Sequence, residues 1–142
     1  MKAILFGSIG TLIETSDIQR ESFNQAFKEN GLDWYWSKET YKNLLKSSGG
    51  SKRIHNFAKK YNIDIDSNFF RQKKTEIFNE KLISKNTPPR EGVIEIIKYA
   101  KYHNIKIGLA SSTTVENIEA VFITLNNVIT KSDFDFIGND TL

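Results

Sequence analysis

The chain of 142 residues has no cysteine, one methionine, two histidines and two prolines. Without cysteine there is no disulfide framework and no thiolate zinc site, which suits a reducing compartment; the cytoplasm is the expected location. His55 and His103 stand far apart, neither has a partner at metal-ligand spacing, and both read as surface residues. Long apolar runs are also missing. The one at the N-terminus, Ala3-Ile4-Leu5-Phe6, is the length of a strand and too short for a signal peptide or a membrane span, so no membrane partner is expected. Charge of one sign is scarce: the formal balance is +3 and the lysines are spread along the chain. That pattern reads as a solvated surface, and a nucleic-acid partner is not expected. What is present suits a buried core, with 39% apolar and 12% aromatic residues and no low-complexity stretch.

Ala3 to Phe6 reads as a fully buried strand bounded by Gly7 and Gly10. A helix should start at Ser16-Asp17, with Phe23, Ala26 and Phe27 on one face and Gly31 as its stop. A second helix should follow Ser37, a candidate N-cap, and end at the run Ser47-Ser48-Gly49-Gly50. Ile54, Phe57, Ala58 and Tyr61 mark the apolar face of a third helix, and Phe70, Ile77, Phe78 and Leu82 that of a fourth. Both prolines fall in "NTPPREG", where the helical pattern breaks and the period changes. Beyond it come a helix on Val93, Ile96, Ile97 and Ala100, a strand "IKIGLA" (105–110), a helix "VENIEAVFITLNN", and a third strand "FDFIG" (134–138).

The second half is thus a βα pattern, whose strands pair in parallel, and the first strand should join them in one sheet. The helices of roughly residues 17–85 are too many for one crossover and should form a separate cap. Ligands of such sheets bind beyond the carboxyl ends of the strands. Here those ends are Gly7–Thr11, Ser111–Thr114 and Gly138–Asp140. The first of these loops is punctuated by glycine yet holds no carboxylate, histidine or lysine.

Several segments resemble one known family. "FGSIGTL" stands where that family has a strand followed by Asp-x-Asp-Gly-Thr-Leu. "RESFNQAFKENGLDWYWSKETYKNLLKSSGGSKRI" is similar to its cap sequence, "KKTEIFNEKL" to its Lys-Thr-Glu-Ile helix, and "PPREGV" to an Arg-Pro-Gly-Val stretch, with Glu91 in place of the proline. "IKIGLASSTTVENIEAVF" resembles its second motif, a strand ending in Ser or Thr, here Ser111. The resemblance is to the haloacid dehalogenase-like (HAD) hydrolases, in the CbbY-like and β-phosphoglucomutase-like branch, and is collinear over nearly the whole chain. It implies an α/β fold with a Rossmannoid parallel-sheet core, incomplete at three expected strands, and an inserted four-helix α cap. Residues 1–15 and 88–142 would form the core and 16–87 the cap.

In such enzymes the first motif-one aspartate attacks phosphorus, the second moves protons, and Mg2+ neutralises the developing charge. The matching positions here are Gly7 and Ile9, so no catalytic residue, no metal ligand and no bound cofactor are expected in this chain. The family continues past the third strand with a lysine motif and an acidic motif, whereas this sequence ends at "FIGNDTL", and Gly138-Asn139-Asp140 reads as the loop before the lysine motif. The chain is therefore expected to be truncated, with the first strand left as an apolar edge open to self-association. The family's cap histidine is matched by Gln19. The remaining candidates for binding phosphate or a phosphorylated sugar are Gly10, Thr11, Ser111, Ser112, Lys52, Arg53 and Lys74. Each has a plainer reading. Thr11 could only support the loop, Lys52 and Arg53 could be solvated helix-start charges, and Trp34 and Trp36 read as cap core rather than a binding platform. Three functions stay open: an inactive phosphohydrolase homologue, a non-catalytic phosphosugar-binding module, or an enzyme using a rerouted mechanism.

Overall fold

The computed structural model describes residues 2–47 and 49–139; Ser48 and Asp140, named above in two loops, lie outside the described residues. Three parallel strands form one sheet in the order β1 (Ala3–Phe6), β2 (Lys106–Ala110), β3 (Phe136–Gly138). Ala3 to Phe6 pair with Lys106 to Leu109, and Gly108 to Ala110 with Phe136 to Gly138. Six α-helices are described, and none is long and apolar enough to cross a membrane. The chain divides into two compact units, one joining the segment up to Thr15 with the chain from Lys81 onward, the other Ser16–Glu80.

In the sheet unit, β2 is the strand whose composition and burial agree: Ile107, Gly108 and Leu109 are buried between its exposed ends. Gly108 is required there. A Cβ on it would lie 2.1 Å from the Phe136 ring and 2.8 Å from a Leu5 methyl, because both neighbouring strands lean their side chains over it. The expectation that β1 is fully buried is corrected. Only Phe6 is buried, Leu5 is 61% exposed, and Ala3 is exposed as well. β1 is the edge strand of the described sheet, and a strand's burial depends on its neighbours rather than on its own apolar run.

The helix α5 (Val93–Tyr102) starts after Gly92, which takes a left-handed φ of 86°, and buries Val93, Ile97 and Ala100 at helical spacing. Ile96, grouped with them from the sequence, is instead half-exposed. The helix α6 (Val115–Thr124) is N-capped by Thr114, whose hydroxyl accepts from the Asn117 amide at 3.3 Å. Its buried face carries Ile118 and Val121. Phe134 meets Phe6 and Phe122 edge-on, with ring centroids 6.2 and 5.8 Å away. A short 3-10 turn, Lys131–Asp133, was not foreseen; it is closed by a capping box in which Asp133 accepts the Thr130 amide at 2.8 Å.

In the other unit α1 (Ser16–Glu29), α2 (Lys38–Leu44), α3 (Gly50–Lys60) and α4 (Ser67–Ser84) follow in order. The last turn of α4 counts with the sheet unit, where Thr124 Oγ1 donates to the Leu82 carbonyl at 2.7 Å. Ser37 caps α2 as expected, accepting the Thr40 amide at 3.1 Å. Phe23, Phe27, Trp36 and Ile54 are fully buried with Tyr41 and Phe70 close to it, in a core that is mostly aromatic. Trp36 sits at its centre, 4.8 Å from both the Phe23 and Phe27 rings. Its peptide is clamped by Asn24, which accepts the Trp36 amide at 2.7 Å and donates to its carbonyl at 3.0 Å. Trp34 packs partly buried against Phe27 and Phe57. Both tryptophans therefore belong to the core. Tyr61 does not: α3 ends at Lys60, and Tyr61 is its half-exposed C-cap.

Candidate functional site

The site expected beyond the strand ends is built by two loops of the sheet unit. After β1 the chain turns on Gly10, whose φ of 85° favours glycine. The turn is closed from within. Gly10 N–H donates to the Ile13 carbonyl at 2.8 Å, while Thr11 and Leu12 N–H both donate to the Ser8 carbonyl, at 3.3 and 2.9 Å. The Gly10 carbonyl accepts from Arg90 at 2.8 Å, and the same guanidinium nitrogen reaches Glu14 at 3.1 Å. Arg90 N–H donates to Leu12 O at 2.8 Å. Gly10 thus serves the shape of the loop, and its amide is already bonded. Of the loop candidates, Thr11 keeps an exposed side chain with a hydroxyl.

Gly7 faces that hydroxyl. A Cβ at position 7 would meet Thr11 Oγ1 at 2.9 Å and Thr11 Cβ at 3.6 Å. Gly7 is not among the glycines with positive φ, so its backbone would accept any side chain once Thr11 turned aside. Ile9 makes a parallel bridge with Ile13 and is half-buried. Neither position offers a group that can attack or move a proton.

The loop after β2 brings Ser111 to the first loop. Ser111 Oγ lies 2.8 Å from Ser8 Oγ, a contact between residues 103 apart in the chain. Ser111 Oγ also accepts the Thr113 amide at 3.3 Å, and Ser111 N–H donates to the Gly138 carbonyl at 3.2 Å. Ser112 is exposed, one residue on. Ser111 and Ser112 therefore stand just ahead of the capped N-terminus of α6, where an anion is favoured by the helix dipole. Ser8, 2% exposed, was not singled out from the sequence. The signal available was a lone hydroxyl between two apolar positions of a strand-end loop.

These residues do not fit a Mg2+ ion. A hard divalent cation takes oxygen ligands, usually with one or two carboxylates, and residues 7–12 are Gly, Ser, Ile, Gly, Thr and Leu. Among the described residues no three His, Asp or Glu side chains converge to hold a metal.

The other candidates lie in the helical unit. Lys52 is an exposed residue in the first turn of α3. Arg53 points its donors at the end of α2: Nε reaches the Leu44 carbonyl at 3.3 Å and one terminal nitrogen the Ser47 carbonyl at 3.2 Å. Its guanidinium also lies 5.8 Å from the Tyr41 ring centroid. Lys74 is buried at 9% exposure, with Nζ 4.9 Å from the Phe23 ring centroid and 5.0 Å from that of Phe78. Nζ donates to Gln19, an amide where a carboxylate would be the usual partner of a buried lysine. Burial, then the charges of Arg53 and Arg71, pull the Lys74 ammonium down to a pKa of about 7. Burial likewise pushes the Tyr41 hydroxyl up, against the opposing pull of Arg53.

Comparison with known proteins accords with these features. Residues 4–141 match the model of the haloacid dehalogenase-like hydrolase family. The CbbY protein of Rhodobacter capsulatus is 35% identical over 124 residues, covering 85% of this chain and 55% of its own length. A crystal structure of CbbY from Rhodobacter sphaeroides in complex with phosphate superposes with a TM-score of 0.86 at 30% identity, covering 100% of this chain and 64% of that one. A mutant of the same protein in complex with xylulose-(1,5)bisphosphate gives 0.85, with the same identity and coverage. The chain spans about half the length of the curated relatives it matches. With a family model matched over almost all of its residues, the chain belongs to the haloacid dehalogenase-like hydrolases.

Proposed function

We propose that this chain is a CbbY-type sugar-phosphate phosphohydrolase homologue that does not catalyse hydrolysis. The carrying observation is Gly7 and Ile9 at the two motif-one positions, with the Thr11 hydroxyl 2.9 Å from where a residue-7 Cβ would sit. A positioned general acid or base contributes about 10²–10⁴-fold to a rate. The covalent route needs the nucleophile as well, and neither group is present at these positions.

A second reading, a non-catalytic phosphosugar-binding module, is favoured by the surviving hydroxyl arrangement. Ser111 stays at the end of β2, supported by Ser8 and the Thr113 amide and followed by the capped start of α6. Ser112 next to it in sequence and Thr11 in the loop after β1 are exposed hydroxyls. In the helical unit the exposed Lys52 is the remaining candidate anion contact, whereas Lys74 is buried beside Gln19 and Arg53 donates to the Leu44 and Ser47 carbonyls. The one relative crystallised both with phosphate and, as a mutant, with xylulose-(1,5)bisphosphate supports a phosphorylated sugar as the ligand class.

The experiment is a titration of the full chain with inorganic phosphate and with a pentose bisphosphate, followed by ³¹P NMR. Saturable binding with a Kd of about 1 mM or tighter, roughly −4 kcal/mol, supports the module. A flat response to both ligands leaves the inactive homologue without a binding role.

A further inference from the structure

We propose that Ser8 is a positioning residue for anion binding: its hydroxyl donates to Ser111 Oγ and turns the single proton of Ser111 toward a phosphate at the ends of β1 and β2. The inference rests on the binding-module reading and names the residue that would make it work. A serine hydroxyl has one proton and two acceptor sites. Both acceptor sites of Ser111 are taken in this arrangement, one by the Thr113 amide at 3.3 Å and one by Ser8 at 2.8 Å.

Burial sets the direction of the shared bond. Ser8 is 2% exposed, and Ser111 is the partner of its side chain among the described residues. If Ser111 donated, the Ser8 proton would be left without an acceptor in the interior, where an unpaired polar group is costly. Ser111 is only half-buried, so its own proton can reach a ligand. The Gly10, Thr11 and Leu12 amides cannot substitute, because they are already bonded within the turn. The Ser111 hydroxyl is then a main remaining donor, and Ser8 decides where it points. Ser8 itself touches no ligand.

The test measures inorganic phosphate binding by ³¹P NMR in the full chain and in Ser8→Ala, Ser111→Ala, the double variant and Ser8→Thr, with a melting curve for each. One hydrogen bond contributes about 0.5–1.5 kcal/mol, so Ser8→Ala should weaken binding about threefold to tenfold. The double variant should bind no more weakly than Ser111→Ala, since Ser8 acts only through the Ser111 hydroxyl. Ser8→Thr keeps the hydroxyl and should recover most of the affinity. If Ser8→Ala does not fold, Ser8→Cys, of similar size and a weaker donor, carries the same expectation. Unchanged binding in Ser8→Ala, or losses that multiply in the double variant, would overturn the role of Ser8 while leaving the binding site standing. No loss in Ser111→Ala, or no phosphate binding by the parent chain, would overturn the binding reading and this one with it.

Discussion

The two compact units treat their polar groups in opposite ways. In the sheet unit the loop after β1 has no charged residue between Gly7 and Ile13; its Gly10, Thr11 and Leu12 amides are bonded within the turn, the Ser8 hydroxyl to Ser111 and the Gly10 carbonyl to Arg90. In the helical unit a lysine is buried against two aromatic rings with a neutral amide as its acceptor and two arginine charges acting on it. The first arrangement bonds these polar groups without using any charge of its own. The second keeps a charge that weakens the fold, because burial without a carboxylate favours the neutral amine. The units thus differ in what a substitution can improve: the sheet loop is already satisfied, the helical core is not.

The largest expected effect tests the aromatic core that cages the lysine. Trp36→Ala should cost about 3–5 kcal/mol, read as a lower denaturant midpoint. A loss under about 1 kcal/mol, typical of a surface change, would mean that the helical unit is held by something else. In the sheet unit Gly108→Val should cost about 1–3 kcal/mol by overpacking, because the Phe136 ring must swing out to make room. Chemical denaturation followed by far-UV circular dichroism checks both.

Lys74→Met sharpens the contrast most directly. It should stabilise the chain by about 1–2 kcal/mol, a gain in Tm of several degrees. The pH dependence has a definite sign. With a folded pKa of about 7 against an ordinary value of 10.5, the unfolded chain binds more protons between these limits. The lysine therefore destabilises fully below about pH 7, and stability climbs as pH rises toward 10.5. That slope should vanish in Lys74→Met, and its persistence would show that Lys74 is not the group responsible.

The smallest effect concerns Asp133, which closes the 3-10 turn and pairs with Lys101. Burial pushes its carboxyl up, but the hydrogen bonds from Lys101 and Thr130 outweigh this and hold it below the ordinary value. Its contribution is present above the usual carboxylate range and is lost as pH falls through it. Asp133→Asn should cost about 0.5–1 kcal/mol, the scale of a lost cap, with the difference from the parent chain disappearing in acid. Thermal melts at neutral and acidic pH check this.

Much of the fold was legible because it is written locally. Ser37 caps α2, Phe23 and Phe27 share a face of α1, and Ile107 to Leu109 form a buried strand, each from spacing and residue type alone. What was misread depends on partners distant in the chain. The exposure of Leu5 reflects its edge position, and Tyr61 is exposed because α3 stops one residue before it. At the candidate site, Gly7, Ile9, Thr11 and Ser111 were legible from the motif. Ser8 was not, since its meaning lies in a hydroxyl 103 residues away. Nor could spacing tell that Arg53 caps the end of α2 while Lys74 is buried beside Gln19.

The central proposal is that this member of a hydrolase family does not hydrolyse phosphate esters. It is tested by following p-nitrophenyl phosphate with Mg2+ and the chain at stoichiometric concentration. The account predicts product release no faster than in buffer, for the parent chain and for Ser111→Ala alike. Turnover above buffer that Ser111→Ala abolishes would contradict it, and would place a catalytic route in a loop where Gly7 and Ile9 leave none.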